Sequence, residues 1–549
     1  MKPKMSRILL LFFISIFILQ NPISSSSCYS SVHDNFIQCL NQNSPPQSPI
    51  SQILYAPANS SYFPLLQSSI QNLRFFSTVT PKPLFILTPL LYSHVQTAVV
   101  CCKQNGLQLT IQSGGHDYEG LSYTASGSPF VVLELQNLRS IVVDIDQNTA
   151  WVDAGATVGE LYYKIAEKSP VHGFPAGICP TVAAGGHFSG GGFGTMVRKF
   201  GLAADNVIDA RVVDASGRIL DRKSMGEALF WAIRGGGASS FCVVLSWKIE
   251  LVHVPTTVTV FTLERTLGQD STKLVHKWQY VSPEFDENLL VRVVVHSPED
   301  EVNRVGHNVS RLSVIFEGLF LGKADELVGI MEEEFPELGL NLRDCSEMSW
   351  IESVLYFSMY PRDSPLEVLV SRTPQPKSFF KAKSDFVNEP LSENVLEKLW
   401  KWCLEEEKPI LILEPFGGRM NEISESETPF PHREGNLYNI QYLVQWEDGE
   451  NFKSTKKHLD WIRRVYERMT PYVSSNPRGA YLNYRDLDLG VNDFDGATYS
   501  QAKTWGFKYF KENFRRLAIV KGEVDPLNFF AYEQSVPPLF LNEAGREIE

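Results

Sequence analysis

Between His172 and Gly194 the chain reads His-Gly-Phe-Pro-Ala-Gly-Ile-Cys179-Pro-Thr-Val-Ala-Ala-Gly-Gly-His187-Phe-Ser-Gly-Gly-Gly-Phe-Gly. That is eight glycines in 23 residues, one cysteine, and no lysine, arginine, aspartate or glutamate. Glycine at this density puts backbone in unusual conformations or presses it against another surface. Two readings follow: a backbone bed for a large flat cofactor with a diphosphate, or a tight structural crossing. A second glycine-rich turn, Ser113 to Tyr123, carries His116, and a third cluster closes Phe230-Trp-Ala-Ile-Arg-Gly-Gly-Gly237. Three such clusters suggest backbone wrapping an extended dinucleotide from several sides. A nicotinamide fingerprint needs G-x-G-x-x-G after a strand, and Gly190-Gly-Gly192-Phe-Gly-Thr195 lacks the third glycine. No Gly-x-Ser-x-Gly elbow or P-loop lysine is present. Taken alone, His116 reads first as a turn histidine, and Cys179 as a disulfide partner or buried thiol.

The elements that must position these residues are legible as strand, turn and helix. Pro81 to Pro89 reads as a short buried strand. Ser93 and Gln96 read as a capping box for a helix to about Gln104, stopped by Asn105-Gly106. Leu107 to Gln112, Phe130 to Leu135, Ile141 to Asp144 and the alternating Ala150 to Ala154 are strands. Thr157 and Glu160 cap a helix to about Lys168. Val207 to Asp214 and Arg218 to Asp221 form a hairpin, and Val243 to Leu251 is a further strand. From residue 256 charge rises and helices lengthen: Ala324 to Phe335, Asn394 to Glu407 and Thr455 to Met469. Between them lie strands Leu289 to His296, Arg311 to Leu321, Leu411 to Glu414 and Tyr438 to Trp446. This predicts a second, α+β unit, a sheet with helices on one face. In the tail, Trp505, Tyr509, Phe510 and Phe514 share one predicted helix and read as core.

With 549 residues, two or three domains are expected. Apolar residues make up 43% and the net charge is −13, which argues against a nucleic-acid partner. Lys2, Lys4 and Arg7 precede the apolar run Ile8 to Leu19, and small residues Ser24 to Ser27 follow: a secretory signal over 1–27, with no later stretch long enough to span a membrane. Asn59-Ser-Ser and Asn308-Val-Ser are glycan acceptors consistent with that route. Among eight cysteines there is no CxxC pair, so no metal site is expected.

Four ordered motifs carry a resemblance: Ser113-Gly-Gly-His116-Asp-Tyr-Glu-Gly; Cys179-Pro-Thr-Val-x-x-Gly-Gly-His187-x-Ser-Gly-Gly-Gly; Asp221-Arg-Lys-Ser-Met-Gly-Glu with Trp231-Ala-Ile-Arg-Gly-Gly-Gly; and Tyr481-Leu-Asn-Tyr-Arg-Asp-Leu-Asp. They resemble the plant berberine bridge enzyme-like family over nearly the whole mature chain, nearest in texture to cannabinoid synthases and related prenylated-phenol oxidases. The resemblance implies a two-part FAD-binding domain of the PCMH or vanillyl-alcohol-oxidase type over 28–255, its core from about 79. A substrate domain follows over 256–475, an antiparallel sheet with helices on one face. A C-terminal segment, 476–549, returns to the FAD domain.

It further implies FAD attached twice, the 8α carbon to His116 and carbon 6 to Cys179. Ser113, Gly114, Gly115, Val182, Gly185, Gly186, His187, Gly190, Gly191 and Gly192 would bed the cofactor. Tyr484 matches a tyrosine often given the role of base. A phenol of ordinary pKa near 10 needs lowering to act at neutral pH, by a neighbouring cation or hydrogen bonds. Asn439 stands where some relatives have a lysine, and Gln441 where the name-giving enzyme has a catalytic glutamate. Tyr118 and Tyr481 are candidates for the pocket wall, and Phe193 replaces a tyrosine common in alcohol-oxidising relatives. Val182 occupies the position of a small oxygen-gating residue. Ala183-Ala184 and Cys242 depart from the usual Gly-Val and glycine. The family pattern pairs Cys39 with Cys101, although adjacent Cys102 leaves that choice open. The expected activity is hydride abstraction from a prenylated phenol or alkaloid-like metabolite, with O2 reduced to H2O2 by a monomer in the apoplast or vacuole. Rival expectations are a carbohydrate or monolignol oxidase, a pericyclase using FAD as scaffold, and a non-catalytic secreted binding protein.

Overall fold

The computed structural model describes residues 25–549 except 45, 128, 269, 299–311, 374–376, 407, 448–451, 494–495, 543–545 and 549. The signal segment falls almost wholly outside this range, and Asn308 lies outside it; Asn59 is exposed. The fold is α+β, with an FAD-type module of two small sheets and a large antiparallel sheet backed by helices.

In the first half, Leu54–Tyr55, Phe85–Leu87, Phe130–Glu134 and Gln108–Gln112 form a four-stranded sheet. Phe85–Leu87 and Phe130–Glu134 are apolar runs buried throughout and pair in parallel, as doubly covered strands do. The second sheet is antiparallel, ordered Ile141–Asp144, Thr149–Asp153, Val243–Glu250, Val207–Val213 and Ile219–Leu220. Ala150 and Val152 are its buried positions in the alternating strand. Helix Val158–Ala166 opens on the expected Thr157–Glu160 capping box. The expected Ser93 box is absent. Helix Tyr92–Gln104 starts two residues earlier than that box requires, after Leu91 and without a side-chain cap. Tyr92 is pinned at that point by its hydroxyl on Asp153, 2.5 Å, and Gln96 donates instead to the Gly217 carbonyl. Cys39 and Cys101 are disulfide-bonded, leaving Cys102 a buried free thiol.

The second half is built on seven antiparallel strands, ordered Cys345–Met348, Val258–Thr266, Ser313–Phe320, Leu289–His296, Pro409–Pro415, Tyr438–Trp446 and Phe379–Val387. Period-two alternation divides its faces. Val291, Val293, Leu411, Leu413, Ile440 and Tyr442 pack under helices Ser271–Val281, Ala324–Glu334, Glu393–Cys403 and Phe452–Met469. The intervening residues Leu290, Arg292, Ile412, Glu414 and Gln441 face a cavity shared with the first half. Arg198 staples the halves together. Its buried guanidinium donates to the carbonyls of Pro283, Phe285, Asp286, Leu289 and Phe416, which satisfies all of a charge that burial alone would make costly.

The tail returns to the first half. The expected single aromatic helix is two, Tyr499–Phe510 and Asn513–Val524, broken where Lys511 adopts φ +45°. Trp505, Tyr509, Phe510 and Phe514 are buried in the main core, as expected. Among the described residues no helix is long and apolar enough to cross a membrane.

Candidate functional site

The His116 turn and the Cys179 stretch interlock, and their small residues are what permit it. A Cβ on Gly114 would lie 2.8 Å from the Ala183 nitrogen, and one on Gly185 would lie 2.4 Å from Ser113 Oγ. These glycines therefore bring two protein segments together, where direct approach to a cofactor was expected of them. Of the predicted bed, Ser113, Gly114, Gly115, Val182, Gly185, Gly186, His187 and Gly190 line a cavity of about 360 Å³ together with His116 and Cys179. Gly191 and Gly192 lie off that lining, packed on Tyr481 and Ala203 respectively. The same lining holds Leu109 and Leu135 together with Tyr118, Gln441 and Tyr484. Its glycine-lined wall fits a dinucleotide. The side chain of Cys179 is exposed to this cavity rather than to bulk water, and burial pushes its thiol pKa up. Burial lowers His116 to about 4, so its imidazole is neutral with a lone pair free to bond carbon. His116 Nε2 lies 3.1 Å from the Thr181 hydroxyl. His187 accepts from the Gly177 N–H at 2.8 Å and thereby shapes the loop leading to Cys179.

At the other end the aromatic side chains form a compact set. Tyr118 and Tyr484 stack at 5.7 Å and 9°, and Tyr481 meets Tyr484 edge-on. Gln441 donates to the Tyr118 hydroxyl at 2.9 Å. The Tyr481 hydroxyl accepts from the Gly192 and Phe193 N–H groups, so it serves the backbone. Phe193 stacks on Phe416. Asn439 does not line the cavity; its amide donates to the Asp385 carbonyl.

Two residues the motif reading passed over complete this end. Tyr484 donates to Glu414 Oε2 at 3.0 Å, and Arg292 lies in the same wall. Where a cation or hydrogen bonds were expected to lower the phenol pKa, the hydrogen-bond partner is a carboxylate, which raises it. Burial and Glu414 hold the phenol proton on, raising the Tyr484 pKa well above its ordinary value. Arg292 is held by Glu317 at 2.6 Å. A signal was present: Arg292 is the lone full charge in Leu289–His296, and Glu414 the lone charge in Pro409–Pro415. A charge on an otherwise apolar strand marks a face turned to something polar.

Tyr484 is fixed from behind by a buried ionic cluster. Lys381 and Lys383 both bond Asp486, at 2.6 and 2.5 Å; Lys381 also bonds Glu119, and Lys383 bonds Asp488 at 2.9 Å. Asp486 is two residues beyond Tyr484, so the cluster ties the tail to the sheet and to the His116 turn. The Cys179 loop is fixed by a close approach of a different kind. A Cβ on Gly194 would lie 1.9 Å from the Ala176 carbonyl oxygen. Gly194→Ala must move backbone three residues before Cys179. It is expected to cost about 1–3 kcal/mol, read as a lower unfolding midpoint. An unchanged midpoint would show that this crossing tolerates displacement.

Comparison with known proteins agrees with this geometry. A model described as FAD binding domain matches residues 83–222, and one described as berberine and berberine like matches 480–537. The chain is 53% identical to tetrahydroberberine oxidase of Berberis wilsoniae over 92% of its own length and 94% of the relative's. It is 52% identical to O-acetylstemmadenine oxidase of Catharanthus roseus, covering 94% and 96%. The solved structure of BBE-like #28 from Arabidopsis thaliana superposes with a TM-score of 0.87 at 48% identity, covering 92% of this chain and all of that one. With His116 and Cys179 on one cavity, a sheet face above it and a tail that closes it, the chain belongs to the berberine bridge enzyme-like family and is an FAD-dependent oxidoreductase.

Proposed function

We propose that this protein is a secreted or vacuolar oxidase carrying FAD bound at 8α to His116 and at carbon 6 to Cys179, and that it removes hydride from carbon of a plant specialised metabolite. The observation that carries this reading is that His116, Cys179 and Tyr484, which lie far apart in sequence, line one cavity. Bound there, FAD supplies a two-electron acceptor that O2 can return to its oxidised form. Two attachment points would fix the ring plane against the substrate, so no ordering cost is met at reaction.

The chain's own residues then have defined work. Glu414 is the terminal proton acceptor, with Tyr484 as the hydroxyl that bridges to it. Gln441 orients Tyr118, whose ring stacks on that of Tyr484 in the cavity lining and leaves aromatic surface for a flat substrate. Phe193, which lines the cavity and is backed by its stack on Phe416, excludes water there. Val182 lines the cavity three residues from Cys179, where a small side chain leaves room for O2. The same reading assigns 28–255 to the cofactor module, 256–475 to the substrate module and 476–549 to the returning tail. It makes the mature protein a monomer.

The test is a panel of prenylated phenols, amines and sugars mixed with the enzyme without air, followed by rapid mixing with air-saturated buffer. The reading predicts bleaching of the flavin by one class, rapid recovery of the colour in air, and one peroxide per turnover. Recovery no faster than that of free flavin overturns the oxidase assignment. Conversion of substrate with no bleaching overturns hydride transfer and favours a pericyclase.

A further inference from the structure

Beneath the His116 turn lies a buried carboxyl that its neighbours do not satisfy. Glu134 ends the strand Phe130–Glu134, and strand register sets it opposite Gln112, the last residue before Ser113-Gly-Gly-His116. Glu134 and Gln112 are 4% and 3% exposed. Glu134 Oε1 accepts from Gln112 Nε2 at 3.4 Å and from the Ser69 hydroxyl at 3.2 Å, but that hydroxyl's single proton is also within reach of the Leu65 carbonyl, at 3.0 Å. Glu134 Oε2 and Gln112 Oε1 are buried and have no hydrogen-bond partner among the described residues. Two acceptors without a donor, on head groups that already meet, are costly. Turning the Gln112 amide over does not help, because it sets an oxygen against Glu134 Oε1 at the same distance. No nearby cation supplies the missing donor. Arg372 acts on Glu134 through space but is committed to Glu160, at 2.9 and 2.7 Å, and to the Gly155 carbonyl, at 2.6 Å. Lys377, at the end of helix Tyr62–Ser69, is taken by the Gln67 and Ser68 carbonyls. The flanking strands Phe85–Leu87 and Gln108–Gln112 carry no charge, and burial keeps His116 neutral.

We propose that Glu134 is a positioning residue for His116, carried as a carboxylic acid whose proton closes a ring with the Gln112 amide, so that the turn bearing His116 is fastened by a proton and loosens as the pH rises toward neutrality. In that ring Gln112 Nε2 donates to Glu134 Oε1, and the acid O–H donates from Oε2 to Gln112 Oε1. Both orphaned oxygens are satisfied by one proton. The link to the turn is direct. Gly115, next to His116, packs on two residues of this site: a Cβ there would lie 2.5 Å from the Ser69 carbonyl oxygen and 3.5 Å from Gln112 Nε2. Ser69 and Gln112 cannot shift without displacing the backbone that carries the imidazole.

The direction of the pH dependence follows from the burial of the acid. Burial raises the Glu134 pKa from its ordinary 4.5 to about 7, with the Ser69 bond and Arg372 opposing the rise. Between those two values the closed turn holds a proton that an opened, hydrated turn sheds. The closed turn is therefore favoured in full below pH 4.5, loses about tenfold per pH unit up to about 7, and is level above that.

The experiment is amide hydrogen exchange of the intact flavoprotein across this pH range, followed in peptides covering 108–120 and corrected for the intrinsic exchange rate. Wild-type protection is expected to fall about tenfold per pH unit and then level off near neutrality. Glu134→Gln puts a neutral amide in place of the acid at every pH and still donates to Gln112 Oε1. It is expected to abolish the slope and to keep the high protection of acid pH up to the alkaline end. Ser69→Ala is a milder change that serves even if Glu134→Gln fails to fold. It removes the hydroxyl that favours the ionised form, so protection should go on falling to a higher pH before it levels. Wild-type protection that does not vary with pH overturns the proposal. So does a slope that persists unchanged in Glu134→Gln, or a profile that Ser69→Ala leaves in place, because either assigns the titration to another group.

Discussion

Tyr484→Phe is expected to reduce the rate of flavin bleaching at saturating substrate by a factor of about 10²–10⁴, with the flavin still attached and the unfolding midpoint unchanged. The ring keeps its stack on Tyr118 and its edge contact with Tyr481; the hydroxyl and its bond to Glu414 are lost. Glu414 then has no hydrogen-bond donor among the described residues. Its pKa, already raised by burial, rises further, and it is protonated when it should accept. Because burial and Glu414 keep Tyr484 protonated, the rate should not follow a phenol ionising near neutrality. The sign is that of the carboxylate: the rate climbs as pH rises through the Glu414 pKa and is lost below it. A bleaching rate equal to that of the wild type would remove Tyr484 and its bond to Glu414 from the chemistry.

Asp486→Ala should destabilise the fold by about 3–5 kcal/mol, the cost of leaving a buried partner uncompensated. Asp486 is 2% exposed, as are Lys381 and Lys383, and it bonds both lysines. The backbone N–H of Asp486 donates to the Tyr509 hydroxyl, and its carbonyl accepts from Gln534, so the same residue anchors the tail through two further bonds. Removing the carboxylate leaves two lysines with Glu119 and Asp488, and Asp488 is also engaged by Arg463. The expected result is a lower chemical unfolding midpoint and slower turnover, since Tyr484 is two residues away. A midpoint shifted by no more than an ordinary surface substitution, about 0.5 kcal/mol, would show that Glu119 and Asp488 suffice.

The sequence made some of this legible and hid the rest for physical reasons. Thr157–Glu160 announced its helix because a capping box is local. Ser93–Gln96 matched the same pattern and failed because a distant bond, Tyr92 to Asp153, set the first turn. His116, Cys179 and Tyr484 were found through motifs. Their meeting depends on glycines that admit neighbouring protein, at Gly114 against Ala183 and Gly185 against Ser113, and no one-dimensional pattern states which surface a glycine touches. Glu414 and Arg292 were missed although each is a charge on an apolar strand. Their significance lies in the register that places Arg292 opposite Glu317 and Glu414 opposite Asn439, and register is a property of the paired sheet. Asn439 was singled out because some relatives carry a lysine there, yet its amide donates to the Asp385 carbonyl and it does not line the cavity.

The central claim is that His116 and Cys179 hold one cofactor between them. Acid precipitation followed by peptide mapping tests it most directly. The account predicts that the yellow colour stays in the washed precipitate and that digestion yields a single flavin joined to two peptides, one holding His116 and one holding Cys179. It also predicts that His116→Ala with Cys179→Ala releases the colour to the supernatant. Colour that leaves the wild-type protein on denaturation, or flavin mapped to any other residue, would contradict it.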